Sequence, residues 1–223
     1  MQATPDLITL LSAIGKLRSS VYKKNEVILR PQEDDDRFFI VRKGLVKAYN
    51  INSQGEEEVQ LLYTTGEAFP ISWMASRPMA SLFFETISDC EIAYMARADV
   101  AELLDQNPQL AKCMLEHVVN QFVIYAARVH NLSYKYSRER LAYRLLLMAK
   151  RFGTRIAQGI SLPLISQQDI GAAINLSRES VNRGLARFEH LGIIIHHKGR
   201  IIIIKPEQLR KEIKAEAGEL YFD

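Results

Sequence analysis

Cysteine and long apolar runs are both scarce in this sequence. Its 223 residues include two cysteines, Cys90 and Cys113, which are far apart and outside any C-x-x-C pair. This excludes a disulfide framework and a cysteine-only zinc or iron–sulfur site. The longest apolar stretches, 191–195 and 201–204, are far shorter than the ~20 residues that cross a bilayer, so no membrane association is expected. Residues 1–14 lack the pattern of an export signal, and we therefore expect a cytoplasmic protein.

Signatures of catalysis are absent as well. The sequence has no G-x-S-x-G, H-E-x-x-H or P-loop pattern, so an enzyme is not expected. His117 is isolated on a predicted helix. It could ligate a haem iron, but a lone helical histidine is more often a surface or interface residue, and we expect the latter. No metal site is expected, and the residues leave the identity of any cofactor unknown.

Positive charge is concentrated in one region of the chain. Residues 1–133 contain 13 Lys and Arg against 17 Asp and Glu, whereas residues 134–214 contain 16 against 6. A segment with that excess can neutralise several phosphates, which supplies the sequence-independent part of DNA affinity. A solvated basic surface would carry the same charge, so charge alone leaves both interpretations open.

Short apolar runs alternate with turn signals from Val21 to Met95. The runs recur every 8–12 residues or so, which favours a sandwich or barrel-like β domain over a parallel sheet with crossover helices. The predicted strands lie at 26–29, 38–41, 45–49, 59–63, 82–87 and 91–95.

Helical periodicity replaces this pattern after Ala98. A short helix is predicted at 99–104, and apolar spacing from Pro108 to Tyr136 predicts one helix of about 28 residues, roughly 40 Å long. Its apolar stripe suits either burial on the β domain or a two-stranded seam, and we favour dimerisation. A further helix is predicted at 138–152. Residues 160–164 follow as a short edge strand, because Pro163 cannot donate to a β ladder.

Residues 165–191 have the spacing of two short helices joined by a tight turn. Ser166 and Ser177 precede runs with helical periodicity and are predicted N-caps, with Asp169 completing a pair like a capping box. The helices are expected at 167–174 and 177–189. Such a unit is a helix-turn-helix, in which the second helix enters the major groove of DNA.

Polar side chains on the second helix are candidates for reading bases. The apolar residues Val181, Leu185 and Phe188 share one face, and the candidates lie away from it. Arginine can bind guanine, glutamate can accept from cytosine and asparagine can pair with adenine. A solvent-exposed helix would also be charged, so this pattern does not decide alone. The candidates are Arg178, Glu179, Asn182 and Arg183.

A β hairpin after this helix favours the DNA-binding interpretation. Two apolar runs, 193–197 and 200–205, surround Lys198-Gly199, which indicates a wing with cations at its tip. Cations there can contact phosphate, as can groups at helix N-termini. The expected contacts to the DNA backbone are Ser166, Ser177, Lys198 and Arg200.

The stretch 177–183, SRESVNR, resembles the recognition helix of the CRP/FNR family, whose motif is S-R-E-T/S-V-x-R. Gly44 resembles the glycine of the family's β-roll, and Gly66-Glu67 resembles its pocket dipeptide. The resemblance covers most of the chain. It implies an α+β protein with a β-roll sensor at 1–107, a dimerisation helix and hinge at 108–137, and a winged helix-turn-helix at 138–223.

The same resemblance implies partners and base readers. The partners are double-stranded DNA, a second copy of the chain and, for an activator, RNA polymerase. The base readers it implies are Arg178, Glu179 and Arg183, and family members with these residues select half-sites of the TGTGA type.

The effector pocket departs from the family pattern. Relatives that bind cyclic nucleotides have Arg-Ser or Arg-Thr where this sequence has Ala80-Ser81, so the phosphate-binding arginine is missing. Arg77 could replace it only in a reshaped loop. Tyr125 aligns with the residue that meets the purine and is expected to fill that space. The apolar segment 69–74 indicates a hydrophobic pocket or a collapsed core, and we favour the core. The pocket candidates are Gly66, Glu67, Trp73, Ala80, Ser81 and Tyr125.

These observations favour one of four functional interpretations. The favoured one is a dimeric regulator that binds an inverted-repeat operator and responds to an effector at the β-roll. The alternatives within that class are an effector-independent regulator and a sensor with a reshaped pocket for a cyclic nucleotide or another small ligand. A cyclic-nucleotide-controlled enzyme or transporter subunit is disfavoured, because after Met95 the sequence predicts only helices and the DNA-reading module.

Overall fold

The computed structural model describes residues 7–14, 17–33, 35–74 and 82–213. The chain divides into two compact units. The first comprises Met1–Asn52 with Gln60–Tyr125, and the second comprises Ser53–Val59 with Ala126–Asp223. Within the described ranges, no helix is long and apolar enough to cross a membrane.

The first unit is built on two antiparallel four-stranded sheets. Their strand orders are β1-β8-β3-β6 and β2-β7-β4-β5. All six predicted strands are present, whereas β1 and the two-residue β6 were not predicted. The strands are β1 (Arg18–Tyr22), β2 (Val27–Leu29), β3 (Arg37–Lys43), β4 (Val46–Ile51), β5 (Glu57–Tyr63), β6 (Ala68–Phe69), β7 (Phe83–Thr86) and β8 (Cys90–Ala96).

Stacked aromatic rings fill the interior between these strands. Phe69 is fully buried and its ring centroid lies 4.9 Å from that of Phe84, 5.3 Å from Tyr63 and 5.4 Å from Phe39. Such stacking adds to the free energy of burying the rings themselves. The start of the apolar segment 69–74 is therefore part of the core of the first unit.

Helices pack on the other side of the β3–β8 pair. The helices here are α1 (Leu7–Ile14), α2 (Arg97–Gln106) and the first part of α3 (Pro108–Ser133). A second apolar cluster joins Leu11 of α1 and Leu110 of α3 to Phe38 and Ile40 of β3. The helix α3 begins where the Leu110 amide donates to Asn107 Oδ1 at 3.0 Å, and it ends three residues earlier than expected. The helix α1 was not predicted.

His117 is buried on α3, so the expectation of a surface or interface residue is wrong. Its Nε2 lies 3.2 Å from the backbone nitrogen and 3.1 Å from the backbone oxygen of Ala68. Burial lowers the pKa of His117 below its usual value, so the ring is neutral at pH 7. In its neutral form Nε2 either accepts from the Ala68 amide or donates to the Ala68 oxygen, according to the tautomer, so the ring satisfies one backbone group of the first unit. Cys90 and Cys113 are likewise buried, as free thiols.

The second unit combines four helices with a small antiparallel sheet of order β11-β12-β10-β9. The edge-strand prediction at 160–164 is wrong, because β10 pairs with β12 on one side and β9 on the other. The strand ends before Pro163, which therefore never interrupts the ladder. The elements are α4 (Ser137–Phe152), β9 (Thr154–Ile156), β10 (Gly159–Ser161), α5 (Gln167–Ile174), α6 (Arg178–His190), β11 (Ile194–His197), β12 (Arg200–Ile203) and α7 (Pro206–Lys211).

Candidate nucleic-acid interface

Serine side chains fix the starts of α5 and α6. The Oγ of Ser166 accepts a hydrogen bond from the Asp169 amide at 3.0 Å, and that of Ser177 accepts one from the Ser180 amide at 3.2 Å. Each bond satisfies one of the amides that a helix N-terminus leaves unpaired. Both N-cap predictions are confirmed, and both serines are exposed at the ends that a phosphate would approach.

The turn between the two helices depends on residues that sequence reasoning missed. A Cβ on Gly171 would lie 2.4 Å from the backbone oxygen of Leu176, so only glycine fits there. Arg140 of α4 donates from Nη1 to the backbone oxygens of Ile174 at 3.0 Å and Asn175 at 3.3 Å. These bonds satisfy carbonyls that the end of α5 leaves free. They tie the turn to α4, and the only sequence signal for Gly171 was a glycine inside a helix.

The helix α6 separates an apolar face from a polar one. Val181, Leu185 and Phe188 are fully buried in the core of the second unit. At 100° per residue, Glu179 and Arg183 lie opposite this apolar face, whereas Asn182 and Arg178 lie on its flank, and all four are near the N-terminal end of α6. All four are exposed, so the structure brings them together on one accessible surface: Arg178, Glu179, Asn182 and Arg183.

Neighbouring polar groups orient two of these side chains. Arg183 donates from Nη2 to Ser180 Oγ at 3.3 Å, and Gln167 of α5 donates from Nε2 to Asn182 Oδ1 at 3.5 Å. Gln167 also lines an open depression with Ser177, Arg178, Glu179 and Asn182. It was missed by the sequence reasoning, although its position as the first residue of α5 is a usable signal.

The wing is a tight two-residue hairpin. His197 pairs with Arg200, and the residues between them, Lys198 and Gly199, have φ values of 48° and 75°. Two consecutive positive φ angles define the turn that matches the twist of antiparallel strands. Lys198 is exposed at the tip. Arg200 is exposed too, but its Nη1 donates to the Leu162 backbone oxygen at 3.3 Å, which holds it against the base of the wing.

The described part of the candidate effector pocket is tied into the first unit. Gly66 has a φ of 87°, and its amide donates to the Val41 oxygen at 2.8 Å. The Glu67 carboxylate accepts from the Thr64 amide at 2.9 Å. Tyr125 is 44% exposed, and its expected place in the purine space stays a prediction, because 75–81 of the pocket lie outside the described residues.

Several pocket candidates fall outside what the structure describes. Ala80, Ser81 and Arg77 lie beyond the described residues, and for Trp73 only the backbone is described, in a 3-10 turn. Sequence reasoning missed Gln121, which lies four residues after His117 on α3. Gln121 is buried, and neither atom of its amide group has a hydrogen-bond partner among the described residues.

Two protein-family models match the chain in consecutive segments. The model of the cyclic nucleotide-binding domain matches residues 20–107. The model of the Crp-like helix-turn-helix domain matches residues 139–212. The second match contains α5, α6 and the wing.

Curated relatives match over most of their length. The chain is 31% identical to the transcriptional activator protein Anr of Pseudomonas aeruginosa over 181 residues, which are 79% of this chain and 72% of the relative. It is 25% identical to the global nitrogen regulator of a Nostoc strain over 194 residues, 86% of this chain and 87% of the relative.

Solved structures share the fold. FixK2 from Bradyrhizobium japonicum superposes with a TM-score of 0.80 at 24% identity, covering 91% of this chain and 100% of that one. A CooA mutant from Carboxydothermus hydrogenoformans gives a TM-score of 0.77 at 20% identity, covering 93% and 95%. The predicted order of β-roll, long helix and winged helix-turn-helix is thereby confirmed.

Proposed function

We propose, since the chain belongs to the CRP/FNR family of DNA-binding transcriptional regulators, that it binds an inverted-repeat operator through the exposed face of α6. The observation that carries this proposal is the grouping of Arg178, Glu179, Asn182 and Arg183 on one accessible surface behind a capped N-terminus. Their side chains offer bidentate donors and acceptors for base edges in the major groove. Gln167 supports Asn182 from α5.

Contacts to the DNA backbone complete the proposed interface. Lys198 at the wing tip and Ser166 and Ser177 at the helix starts are exposed and suited to phosphate. Arg200 is assigned there as well, although it must leave the Leu162 oxygen to reach a phosphate. The excess of cations in 134–214 supplies the long-range attraction to DNA.

The proposed dimer forms along α3. This helix exposes a stripe of large apolar side chains that includes Phe122, 71% exposed, and Val129, 52% exposed. An apolar stripe along a helix of 26 residues is the pattern of a two-stranded seam. Within this proposal 1–107 is the sensor, 108–137 the dimerisation helix and hinge, and 138–223 the DNA-binding part. The other members of the stripe are Leu115, Val119, Val123 and Tyr125.

We assign effector binding to the sensor half and leave the chemical class of the effector unspecified. Gln121 provides a buried amide that a ligand could satisfy, close in sequence to His117. The transcriptional activators among the relatives support RNA polymerase as a further partner if this protein activates. The alternative is a regulator that needs no effector, because the fully buried Phe69 already fills part of the core of the first unit.

Selection from a pool of random duplexes tests the proposed function. The protein should enrich an inverted repeat with half-site centres about one helical turn, ~10–11 base pairs, apart. Its affinity for the selected duplex should exceed that for random DNA by about 10³-fold or more. A pool that emerges with no common motif, bound at the same affinity as before selection, would refute sequence-specific binding.

Cyclic AMP is expected neither to bind nor to raise the affinity for DNA. The sequence has Ala80 where cyclic-nucleotide binders have an arginine, and losing a bidentate contact to the phosphate costs several kcal/mol. Titration calorimetry at millimolar cyclic AMP should therefore give no binding heat. A micromolar Kd would contradict this expectation and assign the phosphate contact to Arg77, which an Arg77→Gln variant would then test.

A further inference from the structure

A side-chain hydrogen bond joins the two helices of the helix-turn-helix. Gln167 is the first residue of α5 and is half-buried, and its Nε2 donates to Oδ1 of the exposed Asn182 on α6 at 3.5 Å. The backbones on both sides of this bond are held in place. Ser166 caps α5 directly before Gln167, and Gly171 allows the close approach of the turn between the helices. The bond therefore joins two side chains whose starting points are fixed.

The same bond determines which end of the Asn182 amide faces α5. Oδ1 is directed at Gln167, and Nδ2 lies on the other side of the carbon that carries both atoms. No other hydrogen bond is made by this side chain among the residues that the structure describes. Its Nδ2 and the second lone pair of Oδ1 are therefore available to a ligand. Both amides line one open depression together with Arg178 and Glu179.

We propose that Gln167 is a positioning residue that holds Asn182 for bidentate pairing with one adenine in each half-site of the operator. The adenine assignment rests on the proposed function. It adds to that function the base that Asn182 reads and the residue through which α5 contributes to the reading.

The donor and acceptor of an ordered amide match a single base. In the major groove, adenine offers N7 as an acceptor beside its N6 amino group as a donor, whereas guanine offers two acceptors, cytosine a donor and thymine an acceptor. Asn182 can donate from Nδ2 to N7 while Oδ1 accepts from N6, and the other lone pair of Oδ1 keeps the bond from Gln167. Because Gln167 orders the side chain before DNA arrives, less rotamer freedom is lost on binding.

Asn182→Ala locates the base pair. Selection from randomised duplexes with the wild type and with this variant should give motifs that differ at one position, which is adenine in the wild type. Binding titrations then use duplexes with each of the four bases at this position of one half-site. The wild type should bind the adenine duplex about tenfold or more tightly than the other three. Replacing this adenine by 7-deazaadenine, which lacks the N7 acceptor, should weaken wild-type binding about 2–10-fold and leave binding by Asn182→Ala unchanged.

Variants of Gln167 test the positioning role. Gln167→Ala should reduce the preference for adenine about 2–10-fold, because the DNA alone must then order Asn182. Gln167→Glu keeps the size of the side chain, but its carboxylate has no N–H to donate, so it should reduce the same preference. In an Asn182→Ala background, Gln167→Ala should not change the ranking of the four bases further. Gln168→Ala removes an exposed amide from the next position of α5 and should leave the preference intact.

The outcomes distinguish failure of the adenine assignment from failure of the proposed function. A motif that Asn182→Ala leaves unchanged, or that has another base at the position this variant alters, would overturn the adenine assignment alone. An adenine preference that stays at the wild-type level in both Gln167 variants would overturn the positioning role, since Asn182 would then need no support from α5. A selection that gives no motif refutes the proposed function and the adenine assignment with it.

Discussion

Replacing Phe122 and Val129 together with aspartate is expected to yield a monomer that binds its operator at least about 100-fold more weakly. Both side chains are exposed on α3, at 71% and 52%, and the two-fold seam would bring four new carboxylates together. Charges without partners in a buried interface are strongly destabilising. A monomer also loses the gain in affinity that comes from linking two half-site contacts, which reaches 10²–10⁴ or so. Light scattering and a binding titration on the operator measure the two effects.

A matched variant separates this effect from general damage to α3. Gln109 and Asn120 are exposed on the same helix but point away from the apolar stripe. Replacing both with aspartate adds the same charge and should leave the dimer and its DNA affinity within about twofold of the wild type. Wild-type protein that is itself monomeric at micromolar concentration would contradict the dimer.

Most of the second unit could be predicted from the sequence because its signals are local. Serine caps, a 3.6-residue apolar period and a Lys-Gly turn each specify their own element, and α5, α6 and the wing lie where these patterns indicate. The family motif then predicts that Arg178, Glu179 and Arg183 read bases in the groove, and the structure shows all three exposed. Nothing in that assignment required knowledge of distant contacts.

Features that depend on contacts between distant residues could not be predicted. The strand β1 has the sequence RSSVY, which is mostly polar, and it is a strand because it pairs with β8 some seventy residues later. Tertiary context overrides local propensity in such cases. The pairing of β9 with β10 likewise turned a predicted edge strand into a central one.

The burial and contacts of individual side chains could not be predicted from the sequence either. His117 is buried and contacts the backbone of Ala68. Arg144 is buried too, although in sequence it resembles the other cations of the amphipathic helix α4. Their burial depends on which elements pack against them. By contrast, Arg140 resembles any exposed arginine in sequence, and only the structure shows it bonded to the end of α5.

Replacing Arg183 with alanine is expected to cost about 1–3 kcal/mol per half-site, or about 2–6 kcal/mol for the dimer, and to relax the preference at one base pair. Arg183 is exposed on the same surface as Arg178 and Glu179, where a guanidinium can bind guanine bidentately. Removing that contact should lower the affinity for the TGTGA-type site far more than for unrelated DNA. Arg187→Ala, an equal change two turns from the helix start, is the control and should leave the selected motif unchanged.

Replacing Lys198 with asparagine should weaken every sequence alike and reduce the salt dependence of binding. Asparagine tolerates the positive φ of 48° at this position, so the substitution removes the charge without straining the turn. Each lost phosphate contact lowers the slope of log K against log salt by about 1, hence by about 2 for the dimer. Selection on randomised duplexes with the wild type, Arg183→Ala and Lys198→Asn distinguishes the two roles. If Arg183→Ala lowers affinity equally for all sequences and enriches the wild-type motif, then Arg183 contacts phosphate, and this face of α6 does not read bases through it.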